Sequence, residues 1–167
     1  MRWRALQALD PEWEEYITIA NDPDESRRVE KLEGLIADAM VEANELWDAA
    51  GKPGWSPVEP RASAADHYRT IGRLRDDVDI HLQALGDPHS PRAAGHRASA
   101  QEARGVVSSL YTVAMVCDYA VEVPTEFILG HQVQGWMLTL AEAAARAEVV
   151  CRRECIFFIA AEAVRLD

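Results

Sequence analysis

Apolar residues recur every three to four positions through most of this chain, the spacing that gives an α-helix one buried face. Val29, Leu32, Ile36, Ala39, Met40, Ala43, Leu46, Trp47 and Ala50 keep that period, with Asp38, Glu42 and Glu45 falling opposite them. Tyr68, Ile71, Leu74, Val78, Leu82 and Leu85 form a second stripe, and Ala103, Val106, Val107, Leu110, Val113, Ala114, Cys117 and Val121 a third. A fourth contains Val133, Trp136, Met137, Leu140, Ala144, Ala147, Cys151 and Phe158. No segment alternates with the period of two that marks a strand.

Punctuation between the stripes sets the predicted boundaries. Asp10-Pro11 and Asp22-Pro23 each place a capping acid before a proline suited to the first helical position, opening helices at about 11–20 and about 23–50. Gly51 stops the second helix, and a proline-rich connection follows it. Ser63 with Asp66 resembles a capping box and opens a third helix that closes at Gly86-Asp87-Pro88. Ser99 and Glu102 frame a fourth helix that ends before Pro124, and a fifth runs from about His131 to Leu166. The expected architecture is one all-α domain over residues 1–167, a four-helix up-down bundle with an N-terminal accessory helix and a long C-terminal helix.

Composition narrows the function classes. A net charge of −11 and only 17 basic residues against 28 acids disfavour direct binding to nucleic acid or to an anionic membrane, since both require attraction to phosphate. A basic protein partner suits that charge, including one whose nucleic-acid groove an acidic surface would occupy. The start, MRWRALQALDPEWEEY, turns acidic without a continuous apolar segment, which points away from a secretion signal and towards the cytoplasm. Cys117, Cys151 and Cys155 are odd in number and lie in apolar helical runs, as expected of buried, reduced thiols. Lys31 and Lys52 are the only lysines, and the preference for arginine and alanine fits a high-GC bacterial genome.

The segment Ile156 to Ala161, IFFIAA, is apolar around the whole helical circumference, which a single packed face does not hide. Either the N-terminal Trp3, Leu6 and Leu9 cover its far side, or a second copy does. Met115, Val116 and Tyr119 lie off the stripe of the fourth helix, and together these features predict a homodimer through the Ile156–Ala161 region.

Several residue groups suggest chemistry. Glu42-x-x-Glu45 resembles half of the carboxylate site by which the all-α nucleotide pyrophosphatases hold Mg²⁺ against phosphates. The resemblance would imply a metal-dependent enzyme. Its second half, E-x-x-D, is absent; Asp76 and Asp79 supply only D-x-x-D, and Asp118 to Glu122 has a different spacing. Arg75 followed by His81 is similar to the R-x4–6-H motif of HEPN-type ribonucleases, which would imply action on an RNA phosphodiester. If the helices alternate, one end gathers Trp47, Trp55, His67, Asp118, Glu122, His131 and Trp136 as a ligand pocket. His81, His89 and His96 gather at the other.

Asp118 and Glu122 close the fourth helix, where the helix dipole disfavours negative charge by roughly 0.3–1 kcal/mol each. A neighbouring arginine, a cationic ligand, or a metal held by His67, Asp118, Glu122 and His131 would compensate. No cofactor is expected, because the chain has no glycine-rich phosphate loop, nucleophile elbow or Cys-x-x-Cys pair. The resulting expectation is a non-catalytic helical bundle that binds a protein or a small ligand. The alternative is a metal-dependent enzyme of the pyrophosphatase type.

Overall fold

A computed structural model describes residues 13–55, 63–85, 94–121 and 128–166, the side chains at 13, 128–131, 162 and 164–166 excepted. The chain is all-α, and the described residues form five helices: α1 (Trp13–Ala20), α2 (Glu25–Ala49), α3 (Ala64–Gln83), α4 (Ala94–Ala120) and α5 (Ile128–Leu166). No described helix is long and apolar enough to cross a membrane.

Local chemistry fixes the ends. The carboxylate of Asp24, not that of Asp22, caps α2 by accepting the N–H groups of Ser26 and Arg27 at 3.0 and 3.3 Å. Asp22 instead accepts the Asp24 N–H at 2.9 Å, and that bond, with Arg27 and Lys31 nearby, holds its carboxyl below the ordinary carboxylate value. The cap therefore lies one residue beyond Pro23 and two beyond Asp22. At the other end Gly51 and Lys52 both take positive φ, and their N–H groups bond back to Asp48 and Trp47, satisfying carbonyls the helix leaves open. Ser63 caps α3 through the Ala65 N–H, as its position predicts.

α4 and α5 form the central pair, with α2 and α3 flanking it on opposite sides; α2 and α3 do not meet among the described residues. Alanine makes the close approach possible: Ala100, Ala103, Ala114 and Ala120 of α4 and Ala141, Ala143 and Ala144 of α5 are fully buried. Larger side chains such as Leu110, Met137 and Leu140 are fully buried with them. Met115 and Val116 are buried within the chain, 3% and 1% exposed, because α4 is enclosed on several sides; they do not supply a face for a second copy.

The four-helix bundle, its accessory helix and its long last helix match the pattern, but the helix directions depart from strict alternation. Tyr68 meets Tyr111 and Asp79 meets Arg104, so α3 opposes α4, while His81 at 2.9 Å from Glu148 places α3 alongside α5 in the same sense. Arg153 of α5 reaches the Ala50 carbonyl at 3.4 Å, so α2 also ends where α5 nears its own end. Thus α2, α3 and α5 run one way and α4 the other. The long connection after Ala50 permits this, since 13 residues of extended chain reach over about 40 Å, more than the length of α3.

Arg28 is a buried residue that the apolar pattern did not mark. It is 0% exposed, and its guanidinium donates to the Asp22 carbonyl at 2.6 Å, tying the start of α2 to the turn before it.

Candidate functional site

The helix directions separate the expected pocket residues. His67 (1% exposed), half-buried Asp118 and half-buried Trp136 belong to the end where α4 turns into α5. Trp47 lies one turn before Ala50 and therefore at the Arg153 end, and Trp55 sits between, its ring under the Arg146 guanidinium at 5.1 Å. Glu122 and the side chain of His131 lie outside the described residues. Among the described residues, no three His, Cys, Asp or Glu side chains are placed to hold a metal ion together. Trp47 and Trp55 therefore do not join His67, Asp118 and Trp136 in one pocket.

The other two motifs also separate. Arg75 stacks its guanidinium over Tyr111 at 4.4 Å, whereas His81 bonds to Glu148, so this pair acts on two different helices. His96 makes a parallel contact with Glu154 at 2.7 Å; His89 lies outside the described residues. Glu148 is only 7% exposed and is held by His81 and by Arg152 at 3.7 Å. The sequence shows the Glu148–Arg152 spacing, but not that the glutamate lies inside.

All three cysteines are buried thiols. Burial pushes the Cys117 thiol up to about 12, and the neighbouring Asp118 charge adds to the effect. Cys151 is raised by burial and by Cys155 one turn on, and Cys155 is raised by burial as well. A thiol raised in this way is a weaker nucleophile at neutral pH than an exposed one.

A cleft does form elsewhere, between α1, α2 and α4. It encloses about 480 Å³, within the range of small-ligand sites. Leu35, Ala39 and Val113 supply its apolar surface, Glu15, Asp38 and Glu42 bring three carboxylates, and Ser108, Ser109 and Thr112 bring hydroxyls. Asp38 and Glu42 are four residues apart and so lie on one face of α2, while Glu15 comes from the short helix α1. The Thr112 hydroxyl donates to the Ser108 carbonyl at 3.1 Å, which holds its methyl and oxygen in place. No basic side chain lines this cleft among the described residues.

Glu42 and Glu45, the pair on which the pyrophosphatase resemblance rests, diverge: both are exposed, and only Glu42 lines the cleft. Ser108 and Ser109 share the cleft with the α2 acids because α2 runs antiparallel to α4, which no local pattern shows.

The fold and cleft define a class, an all-α four-helix bundle with one long crossover and an acidic groove on its flank. The chain matches no family model, and no curated protein and no solved structure matches it.

Proposed function

We propose that this protein acts by binding and not by catalysis, and that its ligand presents an ammonium or guanidinium group to the cleft between α1, α2 and α4. The observation that carries this reading is a groove of about 480 Å³ whose lining holds Glu15, Asp38 and Glu42 with three hydroxyl residues. Carboxylates gathered on one surface repel one another, and a cation relieves that repulsion while hydroxyls accept its remaining hydrogen bonds. Leu35, Ala39 and Val113 would pack against a methylene stem, as basic side chains and organic amines provide. The cation belongs either to a free small molecule or to a side chain of a basic protein, and a cytoplasmic site of action suits the buried thiols in either case.

Melting curves with 1,4-diaminobutane and, separately, with an arginine-containing peptide test this and distinguish the sources. A ligand at about ten times its Kd stabilises by about 1.4 kcal/mol, roughly 3–5 °C for a domain of this size. The shift should disappear in Asp38→Asn/Glu42→Gln and shrink with salt. No shift with either probe, or an equal shift in the double variant, overturns the reading.

A further inference from the structure

The last turns of α5 carry a second feature, independent of the cleft. Ile156, Phe157 and Ile159 are 58%, 41% and 52% exposed, although each is a large apolar side chain. Phe158 between them is 3% exposed and faces the core, so the helix is packed here on one side only. α5 has 39 residues and α4 has 27, and His96, near the start of α4, is level with Glu154 and Phe157. Beyond that level α5 continues for about two turns past the described start of its main neighbour.

The exposed residues form two adjacent ridges. Arg152, Ile156, Ile159 and Ala163 follow one another at helical spacing, and Arg153, Phe157 and Ala160 do so beside them. Phe157 is held in orientation: the His96 ring meets it edge-on at 5.8 Å, and the Arg153 guanidinium lies over it at 5.1 Å. An aromatic side chain fixed before binding loses little conformational freedom when covered, and aromatics beside arginine are typical anchors of protein interfaces.

We infer that these ridges are the contact by which two copies of the chain associate, α5 against α5 in antiparallel fashion. A twofold axis near residue 158 sets Ile156 of each copy against Ala160 of the other, large against small, and Phe157 against Ile159. Arg152 and Arg153 are exposed at the rim and repel a basic partner. Antiparallel pairing also brings those arginines beside the last turn of the other α5, where open carbonyls form the negative end of the helix dipole.

Light scattering coupled to size exclusion, on the full chain over a dilution series, tests the inference. The wild type should elute at twice 18.6 kDa and dissociate on dilution, while Ile156→Glu/Ile159→Glu should remain at 18.6 kDa with unchanged helical circular dichroism. Ile159→Asp alone should weaken association at least tenfold. Val41→Glu and Ile80→Glu, at equally exposed apolar positions away from α5, should dimerise as the wild type does. A wild-type monomer throughout, which would leave the ridges to a different protein, overturns the inference. A dimer that persists in the double variant does so too.

Discussion

Two parts of α5 have similar apolar content and opposite surroundings. From Leu140 to Cys151 no residue of the helix is exposed, with Leu140, Ala141, Ala143, Ala144 and Cys151 all at 0% exposure. From Ile156 to Ala160 four of five residues are exposed. What differs is the company each part keeps. The first is flanked by α2, α3 and α4, and the second lies level with the first described turn of α4, where His96 meets Phe157. Hydrophobicity along one helix therefore states what needs covering, while the lengths and directions of the neighbours decide what is covered.

Substitution on either side gives the strongest test of that contrast. Leu140→Ala should cost about 2–5 kcal/mol and lower the melting temperature by roughly 5–15 °C, because the enclosed part cannot collapse around the cavity. Ile159→Ser, measured where the chain is monomeric, should leave the urea midpoint unchanged. A comparable loss at Ile159 would mean that the two parts are packed alike.

The two histidine–glutamate contacts sharpen the comparison at a smaller scale. Glu148 is 7% exposed and belongs to the enclosed part, whereas the side chain of Glu154 is 19% exposed at the edge of the bare one. Glu148→Ala leaves His81 and Arg152 without their shared carboxylate and should cost about 1–3 kcal/mol. Glu154→Ala should cost less, since water replaces its partner more readily. Chemical denaturation of both variants measures the difference.

The smallest effect concerns alkaline stability. Cys117 on the enclosing helix has its thiol raised from the ordinary 9.0 to about 12. An unfolded thiol ionises above 9.0 and the folded one does not until about 12, so this contribution is complete below 9.0 and lost as pH rises towards 12. The loss approaches about 1.4 kcal/mol per pH unit within that window. Cys117→Ala should flatten the fall in stability between pH 9 and 10, as read from urea midpoints. An unchanged slope would show that Cys117 is not shielded.

Much of the fold was legible before any coordinates. The stripes of α2 to α5 became the buried faces, Ser63 and Gly51 bounded their helices, and Cys117, Cys151 and Cys155 lie inside. The candidate site was much less so. Trp47 lies near the end of α2 and His67 near the start of α3, and they stand at opposite ends because α2 runs parallel to α3. Glu148 reads as a surface acid from its i,i+4 arginine, and only His81, 67 residues away, reveals why it is tolerated inside. Met115 and Val116 fall off a stripe drawn for a helix with one covered face, while α4 is covered on several.

The sequence by itself determined the helices, their inward faces and the apolar excess at Ile156–Ile159, because side-chain periodicity and capping act over a few residues. Tertiary structure alone decided the sense of α2, the meeting of Asp38 and Glu42 with Ser108 and Ser109, and the exposure of Ile156 and Phe157. Those outcomes follow from where a long connection delivers the next helix and where each neighbour ends, distances over which local periodicity carries no information.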